Sequence, residues 1–255
     1  MTAVKLDDVS FSYDNVGVLN DISLELNDSN LTCIIGPNGV GKTTLVKCIN
    51  RLLKPSKGTI TLDGMDISTF SLFDLAKKMA FVPNSVSSVF SMSVSEAILM
   101  GRYPHSGWMT SEEDLRVVEE MIHIMHLEDL ADRNFRELSA GQTQRVVIAR
   151  GLAQEPEILI LDEPTSNLDV KHQMDIMKFL NNYSKNMNIK VIMVCHDLNI
   201  TSSFADRIIM MHNGRVFADG TADQVMTEEN IREVYNVNSR IIDVDGRPHI
   251  IMLKD

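Results

Sequence analysis

Gly36-Pro37-Asn38-Gly39-Val40-Gly41-Lys42-Thr43 is the stretch on which the reading of this chain turns. It has the form glycine, four residues, then Gly-Lys-Thr. Residues 31–35 before it are a short apolar run that predicts a buried strand, and residues 43–53 after it predict a helix. A glycine-rich turn between a strand and a helix can wrap successive backbone N–H groups around phosphate oxygens. The helix N-terminus adds its positive dipole end. In that setting Lys42 reaches the β- and γ-phosphates and the Thr43 hydroxyl holds Mg²⁺. The motif points to a nucleotide phosphate; it does not say which nucleotide or what its cleavage drives.

With 255 residues, 44% of them hydrophobic, the chain is long enough to bury one large core or a core with a subdomain. The 24 basic residues against 35 acidic ones give a net charge of −11, which argues against general nucleic-acid binding. The N-terminus lacks the basic-then-apolar order of a secretory signal, and no apolar run approaches the ~20 residues of a membrane span. A membrane role must therefore come through a partner. Cys33, Cys48 and Cys195 are odd in number and lack metal spacing, and Cys33 and Cys195 fall inside apolar strand-like runs. They read as small buried hydrophobes of a reducing cytosol.

Residues 4–26 alternate apolar and polar (Val4, Leu6, Val9, then Ile22, Leu24, Leu26), which predicts half-buried antiparallel strands. Between them, Tyr13 either stacks on an adenine ring or packs against the sheet edge; periodicity does not choose. A strand at 59–62, a turn at Asp63-Gly64, a helix at 72–78 and a strand at 80–82 follow. From about 86 to 155 the texture becomes helical and methionine-rich. Thr110 with Glu113 forms an expected capping box, and Leu115, Val118, Met121, Ile122 and Met125 repeat at helical spacing. His123 and His126, one turn apart with no third ligand nearby, read as a solvated helix face. Residues 157–161, 190–195 and 207–211 have the continuous apolar profile of parallel strands, with 171–185 as a crossover helix. Asn213-Gly214 and Asp245-Gly246 mark hairpins. The expected organisation is one α/β domain whose core (1–85 and 156–255) combines a mixed, mainly parallel sheet with an antiparallel part. A helical insert occupies about 86–155.

Asp162 and Glu163 directly follow the strand ending at Leu161, and strand C-termini face the ligand crevice of α/β sheets. Asp162 is placed to hold Mg²⁺ through water, and Glu163 to polarise an attacking water as general base. His196 follows its own apolar strand in the same way, within reach of a γ-phosphate. Ser139, in Leu138-Ser139-Ala140-Gly141-Gln142, reads either as a plain helix N-cap or as a helix start offering donors to an anion.

Taken together, the phosphate loop, Leu-Ser-Ala-Gly-Gln, Ile-Leu-Ile-Leu-Asp-Glu-Pro, Ser-Asn-Leu-Asp and a strand-end histidine resemble the ATP-binding subunit of ABC transporters over essentially the whole chain. The resemblance implies a P-loop NTPase core, ATP and Mg²⁺ as ligands, and a head-to-tail homodimer sandwiching two ATP molecules. Each ATP would touch Gly36, Pro37, Asn38, Gly39, Val40, Gly41, Lys42, Thr43 and Thr44 of one chain and Ser139, Ala140, Gly141 and Gln142 of the other. By the same resemblance Tyr13 is the adenine platform and Asp169 lies at the dimer seam. Glu163 is the catalytic carboxylate, and His196 positions the γ-phosphate and the water.

Three positions depart from that pattern. Ala140 replaces a glycine, a change that a helix start should tolerate. Thr143 stands where a basic residue is common, which weakens contact across the seam. Asn84 stands where the family carries the glutamine that links the metal and attacking water to the transporter interface. It is one methylene, roughly 1.5 Å, shorter, so the loop moves in, a water bridges, or the contact is weaker.

Gly101-Arg102-Tyr103-Pro104-His105 is similar to the branch importing iron–siderophores, haem and vitamin B12. That resemblance implies a peripheral subunit on the cytoplasmic face of the membrane, bound to permease subunits and served indirectly by a solute-binding protein. Residues of about 84–104, with Phe90, Met92 and Met100, are the expected groove for a permease helix. A soluble ABC ATPase of iron–sulfur cluster assembly, or an importer of another solute, is the alternative. The solute itself is not legible, because this subunit does not touch it.

Overall fold

The computed structural model describes residues 3–27, 30–84, 91–107, 109–166 and 168–254. It divides into two compact units, Met1–Thr69 with Met177–Asp255, and Phe70–Ile176.

The first unit begins with the alternation of residues 4–26, which becomes an antiparallel pair, β1 (Val4–Tyr13) and β2 (Val16–Leu26). Val4, Leu6 and Val9 point inward and are fully buried while their neighbours face out, as the pleat requires. The short apolar run becomes β3 (Leu31–Ile35), buried at all five positions, Thr32 included. The phosphate loop then leads into α1 (Lys42–Ile49). This helix ends four residues before the expected Leu53. Arg51 adopts the left-handed region (φ 57°), and the amides of Leu52 and Leu53 both turn back to the Lys47 carbonyl, closing the last turn. A further pair, β4 (Lys57–Leu62) and β5 (Met65–Asp66), completes an antiparallel sheet of order β2-β1-β4-β5.

In the second unit α2 (Leu72–Lys78), capped by Ser71, leads into β6 (Met79–Val82). Three helices follow, α3 (Val94–Leu99), α4 (Tyr103–Ser106) and α5 (Glu112–Ile124). The signature segment forms α6 (Ala140–Leu152), and β7 (Ile158–Asp162) lies parallel to β6 with Val82 opposite Leu161. The long helix α7 (Val170–Met187) starts in this unit.

The capping box of α5 is corrected by one residue. Ser111 and Asp114 form it rather than Thr110 and Glu113. The shift comes with a buried stripe of Asp114, Val117, Val118, Met121 and Ile122, in which Leu115, half-exposed, does not take part. Its cause is Asp114, which has a second job. Its carboxylate, 1% exposed, takes the Arg102 Nε–H at 2.9 Å, the Ser111 hydroxyl and amide at 2.6 and 2.8 Å, and the Ser106 hydroxyl. Arg102, also buried, donates further to the Ala153 carbonyl and to Glu155, both at 2.7 Å. Next to it, a Cβ on Gly101 would lie 2.2 Å from the Arg150 carbonyl oxygen, so the Gly101-Arg102 pair locks the turn before α4 onto the C-terminal end of α6.

Back in the first unit, β8 (Lys190–Val194), α8 (Leu198–Phe204), β9 (Arg207–His212) and β10 (Arg215–Gly220) follow. Strand β3 lies between β8 and β9 and is parallel to both, while β10 returns antiparallel on β9 through Asn213-Gly214. The tail is α9 (Ala222–Val225), α10 (Glu228–Tyr235) and the hairpin β11 (Ser239–Val244) with β12 (Arg247–Met252). The Asn199 side chain holds this hairpin, bonding the Ile250 carbonyl and amide at 3.1 and 2.7 Å. All three cysteines are buried and free, and burial pushes the Cys48 thiol up to about 12, which makes it inert. No helix among the described residues is long and apolar enough to cross a membrane.

Burial pushes the Asp114 carboxyl up, but the hydrogen bonds from Ser106, Ser111 and Arg102 outweigh it and hold the group well below the usual carboxylate range. A depressed carboxylate stabilises the fold above its unfolded value of about 3.9 and loses that contribution as pH falls through the native one. Asp114→Ala should therefore cost about 3 kcal/mol at neutral pH, read by denaturant unfolding, because it leaves Arg102 buried without its main partner. The gap between the parent and the variant should narrow in acid, below pH 4.

Candidate active site

The loop between β3 and α1 has little freedom. Gly36 (φ 145°) passes so near β9 that an added Cβ would lie 2.3 Å from the Met211 carbonyl oxygen. Gly41 (φ 99°) is the N-cap of α1, and a Cβ there would lie 2.8 Å from the Leu19 side chain and 3.0 Å from the Val18 carbonyl oxygen. Gly39 (φ 81°) is glycine for its backbone angle alone, since open space surrounds it. Lys42, 5% exposed, folds its ammonium back over the loop, donating to the carbonyls of Gly36 at 2.7 Å and Pro37 at 2.9 Å. Such a cradle of amides around one buried cation fits a polyphosphate.

Tyr235, at the end of α10, adds a contact that the sequence reading missed. Burial drives the ionisation of its phenol to higher pH and keeps it neutral, with the nearby Gly36 amide acting in the opposite direction. No short-range signal marks a residue so far along the chain. Tyr13 ends β1 with its ring half-exposed and edge-on to Phe11 at 4.7 Å, so an apolar face remains for stacking. His196 is exposed just beyond β8 and before Asp197, which caps α8 through the Ile200 amide.

In the second unit, the carboxylates sit where the strand-end argument puts them. Asp162 closes β7 and is buried, and Glu163 follows in the left-handed region (φ 52°). A glutamate there is strained. Asn84 reaches it directly, with Nδ2 donating to Glu163 Oε2 at 2.9 Å, and the Ser166 hydroxyl donates to Asn84 Oδ1 at 3.0 Å. Neither contact is apparent in the sequence, although Ser166 stands in a segment already singled out. These groups border a cavity of about 220 Å³, also lined by Ala140, Thr143, Gln144 and Leu168.

Ser139 is the N-cap of α6 in a full capping box, accepting from the Gln142 amide at 3.3 Å while Gln142 Oε1 takes the Ser139 amide at 2.9 Å. A hydroxyl that accepts still has its own proton to donate, so cap and anion donor are compatible roles. Ala140 takes the first helical position without strain, and Gly141 lies under the His172 ring, where a Cβ would be 3.0 Å away. Asp169 accepts the His172 amide and ring Nδ1, both at 2.9 Å, and these bonds hold its carboxyl below the usual range. Asn167 lies outside the described residues. No cluster of metal-ligating side chains occurs among the described residues, and His123 instead pairs with Glu128 at 2.9 Å.

The family model described as ABC transporter matches residues 19–166. An uncharacterized ABC transporter ATP-binding protein of Methanocaldococcus jannaschii is 42% identical over 97% of both chains. The iron(3+)-hydroxamate import ATP-binding protein FhuC of Bacillus subtilis is 34% identical over 95% of this chain and 91% of its own. Among solved structures, an ABC transporter assigned to the metal-chelate type, in an inward-facing conformation, superposes with a TM-score of 0.86 at 26% identity, covering 99% of this chain and 98% of that one. This chain, an α/β P-loop nucleoside triphosphatase by fold, belongs to the ABC transporter family as an ATP-binding, ATP-hydrolysing subunit.

Proposed function

We propose that this subunit powers a metal-chelate importer, with an iron–siderophore, haem or cobalamin as cargo, from the cytoplasmic face of the membrane. The carrying observation is similarity across nearly the whole chain both to an iron(3+)-hydroxamate import subunit and to a transporter of metal-chelate type. The buried Gly101-Arg102 turn belongs to the motif that suggested this branch.

Two copies pair head to tail. In each site the residues 36–44 and Lys42 grip the triphosphate, Thr43 and Asp162 hold Mg²⁺, and Tyr13 stacks on adenine. Ser139, Ala140, Gly141 and Gln142 of the other copy close over the γ-phosphate, with Asp169 at the seam. Glu163 takes the proton of the attacking water, and His196 orients that water and the phosphate. Closing on ATP and reopening after hydrolysis move the permease between its two faces.

The permease contact falls on the second unit. A cavity of about 600 Å³ is lined mainly by apolar groups, among them Leu99, Met100 and Tyr103, with Arg102 and Asp114 at its base. The half-exposed Phe73 ring packs beside Tyr103 at 5.7 Å. That combination suits the apolar face of a short helix. Phe90, also expected there, lies outside the described residues.

Glu163→Gln should bind ATP as the parent does, accumulate as a dimer on size exclusion, and turn over at least 100-fold more slowly. Parent-like turnover would remove Glu163 from the base role. Gly36→Ala places a methyl in the space of the Met211 carbonyl, so affinity for a fluorescent ATP analogue should drop at least tenfold. For the importer itself, Met100→Glu should release the subunit from its co-purifying permease while leaving its own ATP affinity unchanged.

A further inference from the structure

Asn84 stands where the family resemblance implies a glutamine, and the contacts it makes give that difference a physical meaning. Both ends of the Asn84 amide are engaged: Nδ2 on Glu163 Oε2 at 2.9 Å, and Oδ1 under the Ser166 hydroxyl at 3.0 Å. The turn holding these groups is itself fastened. The Ser166 amide bonds the Glu163 carbonyl at 3.3 Å, and Gln173 of α7 ties down the Thr165 carbonyl at 3.0 Å. On the other side Asn84 lies two residues beyond Val82, which pairs with Leu161 in the β6–β7 ladder. The base is therefore gripped between a strand end and a helix-anchored turn.

Geometry explains why asparagine serves here. Parallel pairing puts residues 84 and 163 side by side just past the ends of neighbouring strands, so a short amide spans the gap. A glutamine would carry its amide roughly 1.5 Å farther and overshoot the carboxylate. A carboxylate in a left-handed turn needs such a restraint, because its backbone does not hold the side chain in one direction.

We infer that Asn84 is the positioning residue of the catalytic base, orienting the Glu163 carboxylate through one hydrogen bond and being oriented in turn by Ser166. Asn84 does not act as a metal-line ligand. This rests on Glu163 being the base. The mutual fixing of three side chains makes their effects interdependent, and displacing a reacting group by about 1 Å costs on the order of 100-fold in rate.

The test is steady-state ATP hydrolysis by the full subunit in its permease complex. Asn84→Ala should lower kcat roughly 10- to 100-fold. The KM for ATP and the Mg²⁺ concentration for half-maximal rate should stay within about twofold of the parent. Ser166→Ala should lower kcat less, and the double variant should be no slower than Asn84→Ala alone. Asn84→Asp keeps the size and removes the donor, so it should be at least as slow as Asn84→Ala. Because it packs like the parent, it also separates a positioning loss from a folding loss. Parent-like kcat in Asn84→Ala or Asn84→Asp overturns the inference. So does a loss that appears in the Mg²⁺ requirement, or multiplicative losses in the double variant. If Glu163→Gln keeps parent turnover, the base assignment itself fails; if it is inactive while Asn84→Ala is unaffected, only the role of Asn84 fails.

Discussion

The near-contact of the Gly36 α-carbon with the Met211 carbonyl is the constraint from which the nucleotide grip follows. Only a residue without a Cβ passes β9 at that distance, and doing so fixes where the loop leaves β3. Gly41 repeats the device at the other end against Val18 and Leu19, so the loop is clamped at both shoulders by backbone and core. Between the clamps, Lys42 is drawn over the loop by two of its carbonyls, and the buried Tyr235 phenol lies near the Gly36 amide. The order required to bind a polyanion is thus largely built in when the first unit folds, which lowers the entropy that binding must overcome.

A different device organises the second unit. Buried ion pairs are weak evidence of net stability, because desolvation offsets attraction. The Arg102–Asp114 pair is better read as a device of specificity. Asp114 serves at once as the capping residue of α5 and as the anchor of the turn before α4, and Arg102 reaches the last carbonyls of α6. Three helices share one hydrogen-bonded node, so a displacement of any of them breaks bonds in a site closed to water.

Legibility in the sequence followed the range of the interaction. Residues 4–13, 31–35 and 158–162 were readable as strands because burial of alternate or successive positions is written in the local pattern. The glycine-rich turn between β3 and α1, the strand end at Asp162 and the Ser139 cap were readable because each geometry depends on neighbours within a few residues. The end of α1 was misjudged because a left-handed Arg51, with no glycine to mark it, ends the helix. The cap of α5 was misplaced because Thr110 with Glu113 and Ser111 with Asp114 fit the same pattern equally well. The choice was made by Arg102, a partner outside the helix. Tyr235 on Gly36 and Asn84 on Glu163 were invisible for the same reason: tertiary proximity decides them, and local sequence does not encode it.

The division of groups between the units carries a functional consequence. Residues 36–44 and Tyr13 belong to the first unit, together with His196. The second unit holds Glu163, Ser139, Asp169, Asn84 and the apolar groove around Met100. Within it, α6 carries the signature cap at its N-terminal end, while its C-terminal end is bonded to Arg102. Strand β7 leads directly to Glu163, and β6, its parallel neighbour, leads to Asn84. The groove, the signature cap and Glu163 therefore lie in the same unit, connected by a helix in one case and by a strand pair in the other. Under the proposed function, the chemistry of the closed dimer and the permease contact are then carried by one unit, linked by α6 and by the β6–β7 pair.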